Sequence, residues 1–246
     1  MKSYHVIAST AVLLLAVAGA AQAQGRGKGN DKDKHQQGQG QGQHQQPAAS
    51  RQDEQRRVDE ERQRQAAYRA ALDRQTAAAQ QRAAQLEQEK RRAQYAAQQQ
   101  YLARLREQQQ HARVERDYAH DRTIIAPPAY RYHRAGRYYE TSQYGADLLR
   151  QAVRSGYQEG YRAGRADRDD RRPADYRDNF AYQDANYGYS GLYVPQGDYN
   201  FYFREGFTRG YQDGYYGRHQ FGMLSAGAPA ILAGVLAGIV ALTALR

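Results

Sequence analysis

Between residues 24 and 222 the chain has only 13 Leu, Ile, Val and Met residues in 199 positions. The other 18 of its 31 lie in residues 1–23 and 223–246. No other feature constrains the fold as strongly. Apolar burial is the main term that offsets chain entropy. A segment so poor in aliphatic side chains is not expected to form a Rossmann fold, a TIM barrel or an α/β-hydrolase. The expected class is mainly α with extensive disorder and no large globular core. Its expected parts are a long solvated helix, a small Gly/Tyr-rich helical pair and a C-terminal transmembrane helix.

The two apolar ends read as export and anchorage. Residues 1–23 have Lys2, an uncharged apolar run from Val6 to Ala20, and Ala21-Gln22-Ala23 as a small-x-small cleavage pattern. That is the layout of a secretory signal peptide. Residues 223–246 are uncharged from Met223 to Leu245, long enough for a helix to cross a bilayer. Ala230, Gly234 and Gly238 form a small-xxx-small stripe, the pattern that lets membrane helices associate closely. With the signal cleaved, the body lies on the periplasmic or outer side and membrane lipid is a partner.

Residues 24–50 are mostly Gly, Gln and charged residues, with no aliphatic side chain, and read as a disordered linker. Residues 51–122 are rich in Ala, Gln, Arg and Glu, with neither Gly nor Pro, and read as a long charged helix. Leu72, Ala79, Leu86 and Ala93 repeat at seven, as in a coiled coil. The positions between them are half Ala and partly polar, and Leu102 and Leu105 fall outside the register. The spacing therefore leaves both a coiled coil and a single solvated helix open. Pro127-Pro128 ends the helix, and residues 123–142 read as a Pro/Tyr/Arg joint.

Residues 143–222 form a Tyr/Gly repeat module. Arg154–Gly164 aligns with Arg204–Gly214 at an offset of 50, matching Gly156, Gly160 and Gly164 to Gly206, Gly210 and Gly214. Tyr157 and Tyr161 follow the first two glycines of one copy, and Phe207 and Tyr211 those of the other. Residues four apart share a helix face, so each copy has a bare stripe. Gly in a helix costs about 1 kcal/mol relative to Ala. Close approach of two helices, with the neighbouring rings laid across the contact, offsets that cost. The spacing predicts helices over about 143–170 and 199–219, packed through their glycine faces.

The order SGYQEGYRAGRADRDDRRPADYR, then YQDANYGY, then YNFYFREGFTRGYQDGYYGR resembles a group of uncharacterised bacterial exported proteins with paired Gly-Tyr-x-x-Gly repeats. The resemblance covers about residues 144–219. It implies the repeat boundaries and an envelope location, and it implies no catalytic residue.

No catalytic or metal-binding motif emerges. The chain has no Cys, hence no disulfide or thiolate site. None of its seven His falls in HExxH, and no GxSxG, Walker A or dinucleotide-binding glycine pattern occurs. His35 and His44 lack a third ligand. Asp167, Asp169 and Asp170 are interleaved with Arg and do not have the spacing of a calcium loop, so they read as a salt-bridged helix end. The expectation is a non-enzyme without metal or cofactor. The leading role is an exported, membrane-anchored envelope protein, structural or adaptor, acting by self-association or on another envelope protein. The alternative is a glycan- or polyanion-binding module that uses Tyr130, Arg131, Tyr132, Arg134, Arg137 and Tyr138. A formal net charge of +10 suits anionic partners; the export signal argues against nucleic acid.

Overall fold

The computed structural model describes residues 48–114, 117, 118, 121–218 and 232–245. The signal peptide and nearly all of the linker expected over residues 24–50 lie outside the described residues. All described elements belong to one compact unit, residues 46–246. The chain is mainly helical, as expected. Other parts of the expected architecture are corrected below.

The first correction concerns the long helix. It is two helices, α1 (Ala48–Gln88) and α2 (Arg92–Ala112), folded back on each other. The turn contains neither Gly nor Pro. Lys90 adopts the left-handed conformation at φ 58, with Arg91 N donating to Leu86 O at 3.0 Å and Lys90 N to Glu87 O at 3.0 Å. That is a Schellman ending with lysine where glycine is usual. The next residue, Arg91, is buried and bonds Asp167 at 2.7 Å and Asp178 at 3.0 Å. Asp170 completes the corner by accepting from Ala93 N and Gln94 N at 2.9 and 2.8 Å, which caps α2 from a distant part of the chain. The hairpin is not solvated on every side. Tyr68, Leu72, Tyr101, Leu102 and Leu105 join the common core.

Strands β1 (Tyr130–Arg134) and β2 (Arg137–Thr141) form an antiparallel hairpin, so the joint is partly sheet. Ala135 and Gly136 turn it with φ 49 and 80, as a two-residue primed turn requires. Ser142 caps the next helix, α3 (Gln143–Asp169), by accepting from Gly145 N. A short helix α4 (Phe180–Asp184) and a loop lead to α5 (Gln196–Tyr216). The helices α3 and α5 run parallel, because contacts advance together along both: Gly156 meets Phe203, Gly160 meets Phe207, and Gly164 meets Tyr211. Both copies of the repeat therefore point the same way.

The second correction is at the C-terminal end. No helix among the described residues is long and apolar enough to cross a membrane. The apolar run instead has a five-residue helix, α6 (Leu232–Leu236), and a strand, β3 (Ile239–Ala241), that pairs with β1. Ile239 is buried, and Val235 and Leu236 pack against the core. The sheet order is β2-β1-β3.

The third correction is the core itself. It is one cluster running from the α1–α2 hairpin through α3 and α5 to the sheet. Its bulk is aromatic. Tyr101, Tyr189, Tyr199, Tyr202, Phe203 and Phe207 are among the largest fully buried side chains. The hydroxyls of these four tyrosines each have an acceptor: Asp184 for Tyr101, Val194 O for Tyr189, Tyr187 O for Tyr199 and His133 O for Tyr202.

Candidate functional site

The six repeat glycines all sit at the α3–α5 contact. A Cβ on Gly156, Gly160 or Gly164 would meet the backbone of Phe203, Phe207 or Tyr211, and one on Gly206, Gly210 or Gly214 the backbone of Val153, Tyr157 or Tyr161. The approach is reciprocal and reaches main chain rather than side-chain ends. The rings beside the glycines secure the pair at its edges. Tyr157 donates to Asp213 at 2.9 Å, and Tyr211 to Asp167 at 2.7 Å. Phe207 packs on Tyr182 with centroids 5.6 Å apart, and Tyr161 stacks on Tyr157 at 6.4 Å. Both glycine faces are thus occupied within one chain.

The stripe expected for membrane-helix association is not assembled. Ala230 lies outside the described residues. A Cβ on Gly234 would meet nothing within 4 Å, and one on Gly238 would lie 3.6 Å from the Tyr202 hydroxyl. Gly238 O accepts from His133 N at 3.1 Å, which ties this turn to β1.

The six Tyr and Arg residues of the first strand and turn separate into two groups. Three are turned to structural use. Tyr132 is buried and donates to Asp198, and Arg134 pairs with the other oxygen of the same carboxylate. Tyr130 lies under the guanidinium of Arg150, 4.9 Å from ring centroid to Cζ. Of the other three, Arg131 and Tyr138 lie on the opposite strand face, and Arg137 shares the face of Tyr132 and Arg134 but is exposed at the turn. The register places Arg131 and His133 on one face with Tyr138 and Glu140. The Arg131 guanidinium lies 4.3 Å from the Tyr138 ring centroid, and the His133 ring 5.1 Å from it. Tyr138 is 63% exposed. Arg137 is exposed and makes no ion pair among the described residues. It stands directly opposite Arg134 across the turn, and like charges in register destabilise a strand pair. Only Arg134 has a neutralising carboxylate.

Several buried charges gave no signal in the sequence. Glu159 is 4% exposed and holds Arg104 at 2.6 Å and Arg162 at 2.8 Å. Burial still raises its pKa against both guanidinium groups. Burial likewise raises Glu61, which accepts from Tyr193 N and pairs with Arg64. It also raises Asp167 against Tyr211 and Arg91. Tyr68 is pushed up to about 12, chiefly by burial. Of the three carboxylates once considered as a calcium cluster, Asp167 is held by Arg91 and Tyr211, Asp170 caps α2, and Asp169 is exposed. No group of acids and histidines among the described residues is arranged to hold a metal ion.

Among known proteins, no family model, no curated protein and no solved structure matches the chain.

Proposed function

We propose that this chain is an exported module that binds an acidic glycan through the exposed end of the β1–β2 hairpin. One observation carries the reading. Arg137 is exposed at the turn of the hairpin, makes no ion pair among the described residues and faces a second arginine, while Arg131, opposite Glu140 in register, lies over the Tyr138 ring on the other strand face. A carboxylate or phosphate group on a ligand relieves that repulsion, and guanidinium groups suit it by planar two-point bonding. Tyr138 adds a ring on which a sugar face can rest. The layout of residues 1–23 supports export. The internal use of both glycine faces weighs against self-association through them, and so favours ligand binding over the adaptor role.

The test is binding to immobilised polygalacturonate, with the fully methyl-esterified polymer as the uncharged control. Binding is expected at low salt, to weaken steeply toward about 0.5 M salt as screening sets in, and to be absent on the ester. Equal binding to both polymers would refute the reading.

A further inference from the structure

A cleft of ≈ 410 Å³ opens between α1, α2, α3 and the loop of residues 187–192. That volume falls in the range of small-molecule sites, roughly 300–1,000 Å³. No part of the hairpin reaches it.

The loop at its wall is unusually constrained. Ala185, Gly188, Gly191 and Tyr193 all have positive φ, at 55, 90, 77 and 66. At Ala185 and Tyr193, which are not glycine, such a conformation persists only where the surroundings hold it, and here they do. Gln108 on α2 accepts from Gly188 N at 2.7 Å and donates to Asn186 O and Tyr189 O at 3.2 and 3.0 Å. Glu61 on α1 accepts from Tyr193 N at 2.9 Å. Tyr199 on α5 donates to Tyr187 O at 2.6 Å. Three helices therefore fix one loop before any ligand arrives, and a fixed wall lowers the ordering cost of binding.

The lining divides between side chains that hold the structure and side chains left over. Gln108 belongs to the first group. Arg104 is locked on Glu159, with its guanidinium 5.6 Å from the Tyr187 ring centroid. Its Nε and the Ser190 Oγ are shut off from solvent with no hydrogen-bond partner. Glu107, His111 and Gln151 are exposed at the rim, and none of their side chains makes a hydrogen bond among the described residues. The floor at Gly188 is bare, and a Cβ there would meet the Tyr199 hydroxyl at 2.6 Å and Gln151 Nε2 at 3.4 Å.

We infer that this cleft binds a short neutral sugar, about a disaccharide in size, through Glu107, His111 and Gln151 against the Tyr187 ring. The chemistry points that way on two counts. The unused rim groups combine acceptor and donor: carboxylate, imidazole and amide, a set that engages neighbouring sugar hydroxyls. The one strong cation, Arg104, is already compensated by Glu159, so an anionic ligand finds no unpaired charge to neutralise there. The Tyr187 ring offers the apolar surface that a pyranose face covers.

The experiment titrates the full chain with cellobiose and with N,N′-diacetylchitobiose, followed by NMR shifts, and with glucose 1-phosphate as the charged comparator. At least one neutral disaccharide is expected to saturate, and Gln151→Ala and Glu107→Ala each to weaken it about tenfold, the scale of one lost hydrogen bond to a charged or well-placed group. Both substitutions change exposed side chains and leave folding intact. Gln108→Ala tests a positioning residue, with affinity expected to fall although the side chain is spent on the loop and on the Tyr68 hydroxyl of α1. Arg131→Ala with Arg137→Ala is expected to leave cleft binding unchanged, which separates this site from the hairpin. The inference is overturned if neither disaccharide saturates, if only glucose 1-phosphate does, or if Gln151→Ala and Glu107→Ala bind as well as the parent.

Discussion

Replacing Gly160 with Ala asks how closely α3 and α5 are joined. The added Cβ would lie 2.8 Å from the carbonyl carbon of Phe207 and 2.9 Å from its Cα, with the oxygen closer still. Comfortable carbon contacts are about 3.5–4.0 Å, so α5 must retreat by roughly 1 Å. The obstacle is main chain inside a helix and has no rotamer by which to move aside. Retreat also loosens the flanking contacts at Gly156 and Gly164. Overpacking of this kind costs about 1–3 kcal/mol, and more where nothing can yield. Against it, Ala returns about 1 kcal/mol of helix propensity. The net expectation is a loss of about 2 kcal/mol, read as a lower urea midpoint with an unchanged slope. Gly234→Ala is the control, since its Cβ meets nothing within 4 Å. It is expected to be neutral or slightly stabilising. A Gly160→Ala chain within about 0.5 kcal/mol of the parent would refute the close-packed pair, because that is the scatter of an uninvolved surface site.

Three further outcomes follow from the buried charges and the turn. Glu61, Glu159 and Asp167 all have pKa values raised by burial, so the folded state binds protons more tightly than the unfolded one. Their contribution to stability is greatest near the ordinary carboxylate range, about pH 4, and declines as pH rises through the raised values. Urea midpoints at pH 5 and pH 7.5 check this; a midpoint that falls on going to pH 5 contradicts it. Arg91→Met strands Asp167, which is 2% exposed, and is expected to destabilise by about 3–5 kcal/mol in the same assay; a loss under 1 kcal/mol would mean that the corner does not depend on the pair. Lys90→Gly relieves a left-handed residue with an exposed side chain and is expected to stabilise by up to about 1 kcal/mol, checked by thermal melting.

The glycine periodicity was legible because a stripe of bare positions in a helix is expensive and has few uses. The α1–α2 corner was not, because its left-handed residue is lysine and its anchors, Asp167, Asp170 and Asp178, lie more than 70 positions away. The one local hint was the broken heptad: Leu102 and Leu105 leave the register of Leu72 and Leu86 because they belong to a second helix running back along the first. The C-terminal run misled for a different reason. Hydropathy states that a segment must leave water, but it does not say where the segment goes. Ile239 is buried in the core, and its strand pairs with the open side of β1. Counting aliphatic side chains also underrated the core, because buried tyrosines supply comparable apolar area once each hydroxyl has an acceptor. On the hairpin, composition could not separate Tyr132 and Arg134, which serve Asp198, from Arg131 and Tyr138 on the other strand face and Arg137 exposed at the turn. That division depends on the strand register and on a carboxylate 64 positions beyond Arg134. The cleft was invisible in the sequence, since its lining comes from three helices and a loop with no shared motif.

The hairpin account is tested most directly by comparing polygalacturonate affinity across three full-length chains at low salt: the parent, Arg131→Ala with Arg137→Ala, and Arg106→Ala. Arg106 is an exposed arginine on α2 with no ion pair among the described residues, so its removal gives the effect of one lost positive charge, half that of the double variant, without touching the hairpin. The account predicts a loss of at least about tenfold for the double variant, a difference of about 1.4 kcal/mol, and little change for Arg106→Ala. Equal losses per arginine removed, or none in either variant, would show that net charge rather than the hairpin end governs binding.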